Sequence, residues 1–339
     1  MSTNIDHIKH PLPLIKRWAM AINGCNVPEI EIADSITKWL VISRACVFSM
    51  TFTSGLIGVL LAALYSKVNW WFAFLCVIGI IIAHASNNLI NDLIDVRRGV
   101  DTEDYPRAQY STHPILGGLT TEKGLLRAAI LLILLDGIIM IYFAIVRGPL
   151  VVSFALIGLV LSLTYTGILK RWGLGELTSF IVWGPLMIGG TAFVISGNLT
   201  PEILLNTLPY GLIVASVLVG KHIDKIEADK TVGVRSIPVV IGKKRALNLN
   251  KFFFIFFYVL IFCLVLLQYS GWGILITLLA FRRLYMAWEV YSKPKPDSPP
   301  KEWTIWPLWY VGWAMYFNRQ AGEFFILGLI INLIMGNFL

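Results

Sequence analysis

Charge is scarce in this chain: Asp, Glu, Lys and Arg make up 14% of its 339 residues, against about a quarter in a soluble domain. With 57% hydrophobic residues and a mean hydropathy of +0.72, that shortage excludes an ordinary water-soluble globule. Cysteine is sparse as well. Cys25, Cys46, Cys76 and Cys263 are scattered, without the paired spacing of a metal site. They read as buried small hydrophobes with no disulfide framework. Residues 1–38 lack the apolar core of a secretory signal, so none is expected there. An acidic balance is also missing. The net charge is +8, but basic loops in a membrane protein normally set topology, and no nucleic-acid partner is expected.

What the chain does have is apolar runs of about 20 residues along its whole length, which mark an all-α polytopic membrane protein. Nine spans are predicted, at 40–65, 70–95, 124–146, 150–168, 175–197, 203–222, 248–268, 272–291 and 321–338. Basic residues fall in alternate connections. One side collects Lys9, Lys16, Arg17, Lys38 and Arg44, then Arg97, Arg98, Arg107, Lys123 and Arg127, then Lys170 and Arg171. Eight more lie between Lys221 and Lys251 and six between Arg282 and Arg319, whereas the other side holds Lys67 and Arg147. The positive-inside rule then predicts an N-in, C-out protein of the cell membrane with two long cytoplasmic loops, 96–123 and 223–247. Residues 39–339 read as a single transmembrane domain. Residues 1–38 read as an interfacial N-terminal segment, with Trp18 and Trp39 near basic residues. The Pro- and Trp-rich stretch 292–318 is too interrupted to span and is placed at the interface.

Two acidic clusters end the second and sixth spans. The first reads Asn88-Leu-Ile-Asn91-Asp92-Leu-Ile-Asp95, with Asp101 six residues on; the second reads Asp224-Lys225-Ile-Glu227-Ala-Asp229. A carboxylate at mid-bilayer costs roughly 2.5–3.5 kcal/mol, so acids kept there must be paired, held at the interface or used on a cation. Asp92 and Asp95 share a helical face with Asn88 and Asn91, and Asp224 and Glu227 repeat the spacing. Both clusters sit at helix C-termini, where the macrodipole disfavours further negative charge unless a cation joins it. Hard oxygen ligands in two facing groups suit Mg²⁺ bound to a diphosphate. Arg107, Lys170, Arg171, Lys221, Lys225 and Arg235 are candidate diphosphate donors.

Plainer readings stand beside this one. Either cluster alone could simply pair with Arg97, Arg98, Lys221, Lys225 and Lys230 at a membrane surface; two clusters of similar make-up, each joined to a long loop, weaken that reading. A secondary transporter with paired acidic sites is the alternative from another class, although such sites lie near the bilayer midplane. Haem ligation by His84 and His222 is a further alternative, less favoured than a structural role. Asp136, inside the third span, reads as a packing residue, and His113 as a solvated loop position.

At these residues the chain resembles the UbiA-type intramembrane prenyltransferase superfamily. The run from Asn88 through Asp92 and Asp95 to Gly99 and Asp101 resembles the first aspartate motif of its menaquinone-forming branch. Tyr165-Thr-Gly-Ile-Leu-Lys170-Arg-Trp-Gly173-Leu-Gly175-Glu176, continuing to Pro185, is similar to the family's connection between helices 4 and 5. The run from Ile226 through Glu227, Asp229 and Gly233 to Pro238 resembles its second motif. The resemblance implies nine helices around a central cavity capped by the two cytoplasmic loops. It implies Mg²⁺-dependent transfer of a polyprenyl chain from its diphosphate to an acceptor. An aromatic quinone precursor of menaquinone or ubiquinone biosynthesis is expected, with a tetrapyrrole or lipid alcohol as the alternative. Asn91, Asp92, Asp95, Asp101, Glu227 and Asp229 would hold metal or diphosphate, and Tyr165 and Lys170 would lie by the donor. One departure stands out. Counting back from Gly233, the family often has Asp where this chain has Lys225. Asp224 is one residue off that register, and either it serves through a local unwinding or Lys225 meets phosphate directly.

Overall fold

Long apolar stretches satisfy their own backbone in lipid only as helices or closed barrels, and this chain takes the helical route. The computed structural model describes residues 10–336 apart from the side chains of Thr166, Lys170 and Arg171; it is 76% helix, with no strand among the described residues. Two short helices come first, α1 (Leu14–Gly24) and α2 (Ser35–Ile42), followed by α3 (Phe48–Tyr65) and α4 (Trp70–Arg97). A short α5 (Pro106–Tyr110) interrupts the first long loop before α6 (Glu122–Arg147) and α7 (Leu150–Gly167). Next, α8 (Gly175–Ile181) runs through a π-helical stretch, Val182–Gly189, into α9 (Gly190–Ser196). The second long loop follows α10 (Pro201–Asp224) and carries α11 (Ile226–Thr231) and α12 (Ile237–Ile241). The chain closes with α13 (Lys243–Leu266), a 3-10 stretch Trp272–Ala280 leading into α14 (Phe281–Tyr291), and α15 (Tyr310–Ile334).

Among the described residues, six helices are long and apolar enough to cross a membrane: Ala45–Tyr65, Trp70–Arg97, Glu122–Arg147, Gly175–Ser196, Pro201–Asp224 and Lys243–Leu266. Their bounds fall within a few residues of the predicted spans, because hydropathy is a local property of the chain. The π-helical stretch contains Pro185, which has no N–H to donate. Ser54 Oγ on α3 donates to the nearby Trp183 carbonyl at 2.9 Å. The core centres on α10, α13 and α15, around Tyr210, Phe254, Phe257, Phe317 and Phe325. By contrast α6 turns Leu131, Leu134, Leu135, Ile138 and Ile145 outward, as a lipid-facing helix does.

Two expectations are corrected here. The last helix begins at Tyr310 rather than 321. Its polar residues find partners inside the bundle: Arg319 Nη2 donates to the Cys46 carbonyl at 3.3 Å, and Asn332 Oδ1 accepts from Gly273 N at 2.8 Å. Residues 310–318, part of the stretch that read as interfacial, are therefore helical, with Tyr310, Val311, Ala314, Phe317 and Asn318 buried. Second, Cys25 and Cys46 form a disulfide, with Cα atoms 5.1 Å apart. Cys76 is the buried thiol expected, and Cys263 is exposed. The chain leaves α1 through Cys25 in a left-handed conformation (φ 53°) and returns along α2 to the turn Ala45–Val47. A separation of 21 residues gave no hint of the pairing. The N-terminal helices have a small core of their own, built on Ala21, Val27, Ile30, Ala33 and Val41. They expose Leu14, Ile15, Ile22, Ile36 and Trp39.

Candidate functional site

The two motif-bearing helices end in the same turn. Asp95 stands four residues before Gly99, and Asp229 four residues before Gly233. Both glycines take a left-handed conformation (φ 68° and 71°), which a Cβ would strain. In each turn the following valine N–H bonds back to the aspartate carbonyl, Val100 to Asp95 and Val234 to Asp229, both at 2.9 Å. Asp101 N also reaches the Asp95 carbonyl at 3.2 Å. Asp101 is thereby folded back beside Asp95 rather than carried off along the loop.

Tyr105, in the first loop, joins the two motifs. Its hydroxyl donates to Asp229 Oδ1 at 2.6 Å and accepts from Lys225 Nζ at 2.7 Å. Lys225 Nζ lies 3.4 Å from the same carboxylate oxygen, and Ser236 Oγ donates to Asp229 Oδ2 at 3.3 Å. Asp229 is fully buried and Lys225 nearly so. The Tyr105 phenol is pushed well above its ordinary value, first by burial and then by Asp229, Asp101 and Asp95. A hydroxyl of the first loop and a carboxylate of the second motif thus share one buried contact. Asp95 and Asp229 also act electrostatically on Tyr165, whose ring packs over Gly175. A cavity of about 590 Å³ opens next to this cluster. Asn88, Asn91, Tyr165 and Lys221 line it, and it continues into an apolar channel between α4, α6 and α7 that reaches Asp136 beside Gly79.

Asp92 belongs to a different construction. Arg107 grips it with two hydrogen bonds, Nε to Oδ1 at 3.2 Å and Nη2 to Oδ2 at 3.0 Å, and Arg44 Nη2 also donates to Oδ1. Both carboxylate oxygens are taken, and the Arg107 fork is spent on them rather than left for a diphosphate. His113 is buried against this knot, correcting its reading as a solvated position. Its Nδ1 accepts from Ile115 N at 3.2 Å and Leu116 N at 3.3 Å, which leaves the proton of a neutral ring on Nε2. That nitrogen is 3.3 Å from Asp101 Oδ2 and 3.8 Å from Asp92 Oδ1. Asp92, Asp101 and His113 are close enough together to suit a metal ion. With two arginines on Asp92 and a proton on Nε2, neither Asp92 nor His113 offers an open ligand atom, while Asp101 Oδ2 has no well-aligned hydrogen bond. Burial would raise Asp101, but the His113 contact together with Arg44 and Arg107 holds it below its ordinary value.

Asn88 Nδ2 donates to the Ser43 carbonyl at 3.0 Å. Arg235 is exposed, and the Lys170 side chain lies outside the described residues. Two predicted metal ligands face away from this cluster. Asp224 accepts from Tyr310 N at 3.0 Å and Val311 N at 2.9 Å, capping the start of α15. The helix does break after it, with Lys225 at φ −108°, ψ 9°, but Asp224 keeps facing α15. Glu227 points to solvent and pairs with Lys230 at 3.1 Å. Asp224→Ala is accordingly expected to lower stability by about 0.5–2 kcal/mol, the worth of an N-terminal cap. The concentration of Mg²⁺ giving half-maximal activity should stay where it was; a large shift would return Asp224 to the site.

Functional side chains missed from the sequence are Tyr105, Ser236 and Arg44, together with the His222–Glu176 pair, which meets at 2.7 Å and lies apart from His84 on Thr51. Glu176 Oε1 also accepts from Ile237 N at 3.1 Å, tying α8 to the second loop. Only Tyr105 carried any signal, as one of two tyrosines, with Tyr110, in a polar loop that follows the first motif.

Comparison with known proteins bears on this arrangement. The model of the UbiA prenyltransferase family matches residues 51–310. A 1,4-dihydroxy-2-naphthoate octaprenyltransferase of Bacillus subtilis is 23% identical over 234 residues, covering 67% of this chain and 72% of the relative. A digeranylgeranylglyceryl phosphate synthase of Natronomonas pharaonis is 27% identical over 222 residues, covering 64% and 75%. Among solved structures, a UbiA homolog from Archaeoglobus fulgidus bound to GPP and Mg²⁺ superposes with a TM-score of 0.60 at 14% identity, over 85% of this chain and 99% of that one. At that identity the likeness is one of fold.

Proposed function

Since the chain belongs to the UbiA prenyltransferase family and is a multi-pass membrane prenyltransferase, we propose that it transfers a polyprenyl chain from its diphosphate to an aromatic quinone precursor in a Mg²⁺-dependent reaction. A dihydroxynaphthoate of the menaquinone route is the acceptor class favoured here, from the first motif and the Bacillus subtilis relative. The carrying observation is the meeting of Tyr105, from the first loop, with Asp229 and Lys225 of the second motif, beside an apolar cavity lined by Asn91, Tyr165 and Lys221. We place this end of the bundle on the cytoplasmic side of nine crossings, N-in and C-out, with α1 and α2 lying at the membrane surface.

Asn91, Asp95 and Asp101 offer two carboxylates and an amide oxygen, a donor set suited to Mg²⁺; Asp101 Oδ2 is buried without a well-aligned hydrogen bond, as a free ligand atom would be. Bound there, the ion would neutralise charge on the departing diphosphate. Lys221, on the cavity wall, and Lys225, beside Tyr105 and Asp229, would hold the diphosphate oxygens. Tyr165 would face the allylic carbon, its ring favouring the positive charge that develops as the bond to oxygen lengthens. An electron-rich carbon of the acceptor then takes the chain and loses a proton. The tail stays in the channel between α4, α6 and α7, sparing about 0.8 kcal/mol for each methylene kept from water.

The deciding experiment supplies purified protein with Mg²⁺, a panel of prenyl diphosphates and candidate acceptors, among them a dihydroxynaphthoate, a hydroxybenzoate and a glyceryl phosphate ether. The expected outcome is a prenylated naphthoate-derived product, one diphosphate released per product, and none with EDTA. Uptake of a solute into proteoliposomes with no diphosphate release would favour a transporter instead.

A further inference from the structure

We propose that this enzyme binds a single divalent ion, at the first motif, and that the buried ammonium of Lys225 stands in for an ion at the second. The inference rests on the prenyl-transfer reading above. Because both motifs end in the same turn, their residues can be set in register on Gly99 and Gly233. Asp95 then matches Asp229, Asn91 matches Lys225, and Asp101 matches Arg235. The first end presents an amide and two carboxylates; the second presents one carboxylate between two cations.

That remaining carboxylate is fully engaged. Asp229 Oδ1 takes the Tyr105 hydroxyl at 2.6 Å with Lys225 Nζ at 3.4 Å, and Oδ2 takes Ser236 at 3.3 Å. The other acids of the second motif, Asp224 and Glu227, are turned toward α15 and toward solvent. Mg²⁺ requires a near-octahedral shell of oxygens at about 2.0–2.1 Å. To enter here it would have to displace an ammonium held by Tyr105 at 2.7 Å and sitting 4.5 Å over that ring. Charge arithmetic favours the substitution. A lysine contributes +1, the same as an aspartate (−1) holding a divalent ion (+2). The diphosphate would therefore meet an equal positive charge with one ion fewer. Lys225 also needs no recruitment from solution, being held in place by Tyr105 and Asp229 before substrate arrives.

The test counts ions. Mn²⁺ replaces Mg²⁺ in the detergent-solubilised full chain, with an unreactive prenyl thiodiphosphate present, and bound ions are counted by electron paramagnetic resonance. The wild type is expected to bind one Mn²⁺ per chain and Lys225→Asp two. Lys225→Met is expected to keep one while binding the thiodiphosphate roughly tenfold or more weakly, the loss of a charge-assisted hydrogen bond. Two ions in the wild type, or one in a folded Lys225→Asp protein, would overturn the inference and leave the enzyme reading intact. No ion in the wild type would overturn the Mg²⁺ reading itself. Should Lys225→Asp fail to fold, the wild-type count decides, alongside the steepness of Mg²⁺ activation: a Hill slope near one is expected, and a slope near two would refute it.

Discussion

Asp95→Ala is expected to cut turnover by roughly 10²–10³-fold, the usual cost of removing one group that stabilises developing charge. The assay is diphosphate release at saturating Mg²⁺ and donor. Asp95 occupies the last turn of α4 and is 5% exposed. Its backbone carbonyl, which alanine retains, anchors Val100 and Asp101. The turn should therefore persist and thermal unfolding in detergent should shift little. Activity near the wild-type level would remove Asp95 from the ligand set. Loss of both activity and fold would make it a structural residue.

Asp92→Ala should behave in the opposite way. Here the fully buried carboxylate neutralises two buried arginines, Arg44 and Arg107. Removing one partner of a buried ion pair typically costs about 3–5 kcal/mol, because the charge left behind has no compensation. The expected result is a large drop in unfolding temperature, with any surviving folded enzyme keeping its ordinary Mg²⁺ requirement. Replacing the knot by apolar residues (Asp92→Leu with Arg44→Met and Arg107→Met) should recover much of the stability, since a packed apolar cluster often equals a buried ion network. A stable Asp92→Ala protein that no longer binds Mn²⁺ would restore Asp92 to the metal site and refute this assignment.

The difference between Asp92 and Asp95 was not legible in the sequence. Both are aspartates of one motif, three apart on one helical face, and only the arrival of Arg44 from before α3 and Arg107 from the first loop separates them. What could be read was whatever depends on neighbours in the chain: apolar runs, the abrupt onset of acids, the glycines that stop the motif helices. What could not be read depends on distant partners. Tyr105 reaches Asp229 across 124 residues, and Asp224 finds the start of α15 across 86. The break of the helix at Lys225 leaves Asp224 facing α15 while Lys225 turns to Tyr105 and Asp229. The same limit hid the Cys25–Cys46 bond and the early start of α15, whose polar residues look unsuited to a bundle interior until their acceptors on other helices are known.

The matching turns at the ends of α4 and α11 have a consequence for how the protein assembles. Their closing bonds span five residues, from 100 to 95 and from 234 to 229, a distance over which a chain explores its options in well under a microsecond. Each aspartate can be aimed as soon as its own helix has formed, without waiting for the other half. The slow, entropy-limited step is then the docking of two finished hairpin ends, which Tyr105 completes as a latch. Sequence changes at Gly99 or Gly233 should therefore show up early in biogenesis, and changes at Tyr105 late.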